Sequence, residues 1–205
     1  LDLDGTKVSD AGLSNFKDCK GLSFLGLDGT GTTDVGLANF KDCKGLVHLY
    51  LRETKVTDAG LAHFKDSKGL AELSLRGNTT VTAAGFANFK DCKGLKQLRL
   101  LQSGVTDAGL TYFKDCKGLT FLELHGTAVT DAGLAHFKDC KELIWLILDR
   151  TKVTDAGLSN FKDCKVLKGL SVKGTMVTAV GLADFHAAVP GCRIEHDGGV
   201  IEPKN

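Results

Sequence analysis

The sequence predicts an α/β solenoid: a right-handed, curved horseshoe with a parallel β-sheet on its concave face and helices on its convex face. Three observations predict it. A Phe-Lys-Asp signature returns at Phe16, Phe40, Phe64, Phe89, Phe113, Phe137 and Phe161, and Phe185 holds the same place in a weaker last copy; the step is 24 residues, except for one of 25 between Phe64 and Phe89. A fixed period of this size marks stacked repeats. Each copy joins a stretch of alternating apolar residues to a stretch of helical spacing. Finally, one copy cannot bury its own apolar residues, whereas stacked copies can, because each covers its neighbour's open side.

The unit Leu49 to Leu70 shows the logic. Leu49 and Leu51 alternate with Tyr50, the period-2 pattern of a strand with one buried face. Glu53 to Thr57 reads as a turn with Val56 pointing inward. Asp58 is the expected N-cap of a helix from Ala59 to about Lys65, and Leu61 and Phe64, three apart, share its inner face. Position 67 and Leu70 complete the inward set. Full burial of one Leu or Phe is worth roughly 1.5–3 kcal/mol, so six such positions per copy make a large core. Helices are wider than strands, so the stack curves with its strands on the concave side.

The chain reads as one domain, 1–205, of eight 24/25-residue units. The first (1–20) is truncated and lacks its leading strand residues, an open side that predicts chain before Leu1 and permits end-to-end self-association. The unit beginning at Gly69 carries the one insertion, around Asn78-Thr79-Thr80, and has Ala83 in place of the capping Asp. A bulged turn and a helix start weaker by about 1 kcal/mol are expected there. After Pro190 the pattern ends. Arg193-Ile194-Glu195 fits one more short strand, Asp197-Gly198-Gly199 a turn and Val200 to Asn205 a polar tail, so 189–205 reads as a C-terminal cap and tail.

The motif L-x-x-L-x-L-x-x-T-x-V-T-D-A-G-L-x-x-F-x-x-C resembles the leucine-rich repeats, most nearly their cysteine-containing class and bacterial tandem arrays with the T-D-A-G-L core. The resemblance runs from Leu1 to about Glu195. It implies a non-catalytic protein-interaction module. As an alternative it implies a regulatory or targeting segment of a larger protein such as a serine/threonine kinase; a structural spacer or self-assembling scaffold is a third reading. One departure stands out: Thr54 occupies the place where those families carry Asn, as do Thr6, Thr30, Thr127, Thr151 and Thr175, with Ser103 as a variant. A hydroxyl bonds nearby backbone as an amide would, so a hydroxyl ladder is expected in place of an asparagine ladder.

Composition narrows the function class. The net charge is +1, from 26 basic and 25 acidic residues, which leaves no footprint for nucleic acid. No apolar run approaches a membrane span. Six of the seven Cys (Cys19, Cys43, Cys92, Cys116, Cys140, Cys164) hold one repeat position that Ser67 fills in the remaining copy. That is a ladder of small buried residues rather than a disulfide framework, and unpaired thiols favour a reducing, cytoplasmic setting.

Several motifs tempt and dissolve. Asp2-Leu3-Asp4-Gly5-Thr6 spells the nucleophile motif of haloacid-dehalogenase-like phosphatases, but Leu27-Asp28-Gly29-Thr30 shows it to be a repeat boundary without the required context. Gly26 to Gly31 lacks the form of a phosphate loop. Cys192, His196 and His186 are too scattered for a structural metal, which needs four ligands. No metal or cofactor is expected, and no nucleophile–base or carboxylate pair stands outside the repeat frame. An enzyme is therefore not expected.

What varies from copy to copy flanks the strand leucines, and by alternation it projects onto the concave face. That face holds the single Trp, one of the two Tyr and three of the five Arg, the side chains that most often carry interface energy. A two-part site is expected. Arg52, Arg76 and Arg99 make a basic half with His48, Tyr50 and Glu72 around it. Leu101, Phe121, Trp145 and Ile147 make an apolar half beside Glu123. The expected partner is a protein or peptide with an acidic segment next to apolar anchors.

Overall fold

A computed structural model describes residues 1–204. Nine strands form one sheet in sequence order: β1 (Phe24–Gly26), β2 (His48–Tyr50), β3 (Glu72–Ser74), β4 (Gln97–Arg99), β5 (Phe121–Glu123), β6 (Trp145–Ile147), β7 (Gly169–Ser171), β8 (Arg193–His196) and β9 (Gly199–Ile201). Neighbours β1 to β8 pair in parallel and in matching register, so Leu25, Leu49, Leu73, Leu98, Leu122, Leu146, Leu170 and Ile194 form one buried row. The last pairing, β8 with β9, is antiparallel. The expected polar tail from Val200 is thus partly a strand: Glu195 pairs with Val200 and Ile194 with Ile201, which covers the last parallel edge.

Opposite the sheet lie α1 (Asp10–Leu13), α2 (Asp34–Leu37), α3 (Asp58–Leu61), α4 (Ala83–Phe86), α5 (Asp107–Leu110), α6 (Asp131–Leu134), α7 (Asp155–Ser159) and α8 (Ala179–Ala188). The first six are single α-turns that tighten into a turn of 3-10 helix ending at the repeat's Phe. The Phe rungs from Phe40 to Phe185 are fully buried.

The capping residue is the Thr before the Asp (Ser9 at α1), with α5 the exception, a correction to the assignment of Asp58. Thr57 Oγ1 accepts the Ala59 N–H at 3.3 Å, and Asp58 is the first helical residue. The Asp carboxylate points instead to the next repeat. Asp58 Oδ1 accepts the Thr82 N–H at 2.8 Å and Oδ2 the Thr82 hydroxyl at 2.5 Å. Asp34–Thr57, Asp107–Thr130, Asp131–Thr154 and Asp155–Thr178 repeat the pattern. Each Asp thereby turns the neighbour's Thr hydroxyl so that its lone pair faces the helix N–H groups. At Ala83 the missing carboxylate is felt one repeat later. α4 keeps its cap through Thr82, while Thr106, before α5, makes no side-chain cap bond among the described residues.

This ladder accounts for the Gly of T-D-A-G-L. A Cβ at Gly60, Gly85 or Gly157 would lie 2.3, 2.3 or 2.2 Å from the preceding repeat's Asp Oδ1. After Ala83 the corresponding Gly109 faces the Phe86 ring at 3.0 Å instead.

The hydroxyl row is not a ladder between repeats, as expected, but a set of local caps. Thr30, Thr127 and Thr151 donate to the strand carbonyl three residues back, at 2.6–2.7 Å. A rung between repeats exists at Asn78, which belongs to the frame rather than to the insertion: its Nδ2 donates to Leu51 O at 2.6 Å and its Oδ1 accepts the Thr54 hydroxyl. The extra residue falls just after it, and Gly104 lies against the bulge, where a Cβ would meet Val81 O at 2.4 Å. The thiols do form a ladder. Cys116 Sγ donates to Cys92 O, Cys140 to Cys116 O and Cys164 to Cys140 O, at 3.3, 3.4 and 3.2 Å. Cys19 departs from the expected inward role and is exposed.

Candidate functional site

The strand residues beside the buried leucine row stand in two columns on the outer sheet face. One runs Phe24, His48, Glu72, Gln97, Phe121, Trp145, Gly169, Arg193. The other runs Gly26, Tyr50, Ser74, Arg99, Glu123, Ile147, Ser171, Glu195. The parallel pairing stacks each residue on its counterpart one repeat away, which brings side chains 24 residues apart into contact.

At the β1–β3 end the rings of Phe24, His48 and Tyr50 cluster, with Phe24 edge-on to Tyr50 at 5.3 Å. The Tyr50 hydroxyl donates to the Glu72 carboxylate, which also accepts Gln97 Nε2 at 3.0 Å. Burial, and then the bond to Glu72, push the Tyr50 phenol up to about 12. Beside them Asp4 Oδ1 accepts the Asp28 N–H at 2.7 Å, and Asp28 Oδ1 the Arg52 N–H at 2.6 Å.

The three arginines expected to make a basic half are each engaged within the chain. Arg52 pairs with Glu53 at 2.9 Å. Arg76 reaches across β4 to Glu123, Nε to Oε2 at 3.2 Å. Arg99 donates to Gln97 and lies over the Phe121 ring, 5.2 Å from its centroid. Glu123 is 5% exposed, so it sits beneath the face rather than on it. Burial raises its pKa against the pull of Arg76 and Arg99. Of the four apolar residues, Leu101, Phe121 and Ile147 are half-buried, and Trp145 stands out at 49% exposure.

Beyond Trp145 the face dips into a cleft of about 330 Å³ over β6 to β8. Its walls and rim are Trp145, Ile147, Asp149, Ser171, Lys173, Arg193 and Glu195. Asp149 Oδ1 accepts the Ser171 hydroxyl at 2.6 Å and the Lys173 N–H at 2.7 Å. Glu195 accepts from both Lys173 and Arg193, which hold its carboxyl down to about 2. The residues from Asp149 onward were not among those expected to form the site. The signal was present: Arg193-Ile194-Glu195 has the strand alternation, and carrying both columns one repeat further reaches Arg193 and Glu195. Among the described residues no three His, Cys, Asp or Glu side chains converge as a metal site, and no helix is long and apolar enough to cross a membrane.

This geometry, eight stacked strand–helix units with one chemically varied face, is matched by a family profile. The profile for the BspA type leucine rich repeat region, present in six copies, matches residues 6–117 and 76–186. The chain belongs to the BspA-type leucine-rich repeat family. Among solved structures, this BspA-type array is similar to internalin C2 of Listeria monocytogenes, at 20% identity and a TM-score of 0.60 over 92% of this chain and 84% of that one. It is similar to internalin InlF of the same organism at 16% identity and 0.68, over 95% and 58%. A leucine-rich repeat protein of Leptospira interrogans, LIC12759, matches at 18% and 0.64, over 95% and 59%. The chain thus spans under two thirds of the last two. At these identities the likeness speaks to fold. No curated protein matches the sequence significantly. Leucine-rich repeat arrays are commonly protein-interaction modules, because stacking repeats creates an extended surface.

Proposed function

We propose that this BspA-type array is a non-catalytic module that holds a protein or peptide against its outer sheet face. The observation that carries the reading is Trp145. A half-exposed indole at the centre of a sheet face, flanked by Phe121 and Ile147 and opening on a cleft, is costly to leave against water unless something covers it. The opposite surface carries repeated Lys and Asp side chains in weak, exposed pairs such as Lys68–Asp91 at 3.8 Å and Lys141–Asp163 at 3.3 Å, which contribute about 0–1 kcal/mol each and mark no site. Because the arginines are already engaged, the partner's contact is expected to be mainly apolar, with acidic groups reaching Arg99 at its edge.

The test is affinity capture on three proteins: the wild-type chain, the sheet-face variant Trp145→Ala with Arg99→Ala, and a helix-side variant Lys41→Glu with Lys138→Glu. A protein identified by mass spectrometry, repurified, and bound by the first and third but not the second supports the reading. Loss on the helix-side variant alone, or a partner held equally by all three, overturns it.

A further inference from the structure

We infer that the cleft between Trp145 and Arg193 is an anchor pocket for one uncharged aromatic or long aliphatic side chain of an extended peptide. This rests on the reading of the sheet face as a partner surface and names what that surface grips.

The pocket is built by one glycine. Gly169 follows Trp145 in its column, and a Cβ there would lie 2.2 Å from Cζ3 and 2.3 Å from Cε3 of the indole. The ring therefore lies down across β7, and its exposed side becomes a wall rather than a projection. Below it the floor is the backbone of β6 and β7 at Leu146 and Leu170, whose side chains face the core row, so the bottom is sheet backbone backed by packed side chains and the apolar walls are the indole and Ile147. A volume of about 330 Å³ sits at the small end of ligand pockets, roughly 300–1,000 Å³. It suits a single large side chain and its adjoining backbone.

The rim selects against charge. Its charged groups are already engaged: Asp149 holds the Ser171 hydroxyl and the Lys173 backbone N–H and lies 3.6 Å from His125 Nδ1, and Glu195 holds both the Lys173 ammonium and the Arg193 guanidinium. A charged side chain entering here would lose water without gaining a free counter-charge, whereas an apolar one gains contact with the indole and Ile147. The rim's carboxylates and cations can still meet the peptide groups on either side of the anchor. The sheet face continues past the pocket toward Phe121 in one direction and β9 in the other, which suits a chain segment rather than a free small molecule.

The test selects linear phage-displayed peptides on the full chain and measures those lacking Trp by quenching or shift of the fluorescence of Trp145, the single Trp of the sequence. Two variants report on the pocket. Ser171→Phe fills it, and Gly169→Ala pushes the indole off the floor; far-UV circular dichroism checks the fold of each. The expected result is convergence on one aromatic or long aliphatic residue at a fixed position. Binding should weaken about tenfold or more in both variants, the scale of a hot-spot contact, and change little with salt. Selection of charged motifs, salt-sensitive binding, or no enrichment overturns the anchor pocket. Peptides lost with Arg99→Ala but indifferent to Ser171→Phe overturn the pocket and leave the sheet-face reading standing. Peptides indifferent to every sheet-face change overturn both.

Discussion

Replacing Gly181 by Ala is expected to change sign according to whether Asp155 is present. Gly181 lies in the first turn of α8, where an Ala would ordinarily help by about 1 kcal/mol. Here a Cβ would sit 2.0 Å from Asp155 Oδ1, 2.2 Å from its Cγ and 2.8 Å from Oδ2. The carboxylate cannot swing aside freely, because Oδ1 accepts the Thr178 N–H at 2.8 Å and Oδ2 the Thr178 hydroxyl at 2.6 Å. Hydrogen bonds to a charged group are worth about 1.5–3 kcal/mol when buried, and this half-exposed pair about 2 kcal/mol together. Gly181→Ala alone must displace the rung, for a net loss of about 1–2 kcal/mol after the helix gain. Asp155→Ala alone loses the rung, about 2 kcal/mol. In that background Gly181→Ala meets none of the three atoms and recovers about 1 kcal/mol. The coupling is therefore about 2–3 kcal/mol. Urea and thermal unfolding of the four proteins reads it, at about 2–4 °C per kcal/mol for a chain of this size. A coupling within about 0.5 kcal/mol of zero would refute the argument that this glycine exists to admit the carboxylate.

Ala83→Asp should restore the missing rung to Thr106 and stabilise by about 1 kcal/mol, a gain visible in the urea midpoint and absent when Thr106 is replaced by Val. Gln102→Gly should stabilise by about 0.5–1 kcal/mol, because Gln102 sits at φ 50°, a left-handed turn position that Gly29, Gly77 and Gly126 occupy in sister repeats; an unchanged melting temperature would contradict this. Under native conditions a thiol reagent should label Cys19 rapidly and the other six only on unfolding, since burial pushes Cys92 up to about 11 and Cys116 and Cys140 up to about 12; fast labelling of several thiols would break the ladder argument. Glu123, raised by burial, keeps its proton in the folded chain at pH values where the unfolded chain has released it, so its contribution to stability falls as pH rises through that window. Arg76→Ala lifts Glu123 further and should cost about 1–2 kcal/mol at neutral pH, given the partly exposed guanidinium, and less in acid; adding Glu123→Gln should recover most of it, and a pH-independent cost would speak against the pairing.

Much of the site was legible in the sequence because strand alternation is a local property. Leu49 between His48 and Tyr50 already assigns the two side chains to the outer face, and the same holds for Phe121, Trp145 and Ile147. What was not legible was which of these side chains remain free. Arg76 and Glu123 are 47 residues apart and meet only because stacking sets them two repeats apart, with β4 between. Nothing local in either segment reveals that a guanidinium expected to greet a partner is spent on its own chain. The cleft was hidden for the same reason. Gly169 reads as one more variable position until the register places it under the Trp145 ring.

The sequence by itself determined the architecture. Its 24-residue period, the alternation around each strand leucine and the recurring Phe leave stacked strand–helix units as the arrangement that buries every copy's apolar residues. Only the tertiary structure decided the meaning of the polar letters. Asp58, placed to cap its own helix, instead bonds Thr82 one repeat on, and Thr54, expected to bridge repeats as a ladder, caps its own strand at Leu51 while meeting the neighbouring repeat through Asn78. The reason is physical. Burial of apolar groups is non-directional and follows from pattern alone, whereas a hydrogen bond needs its partner within about 3 Å at a particular angle, and which partner stands there is set by the rise and twist of the stack.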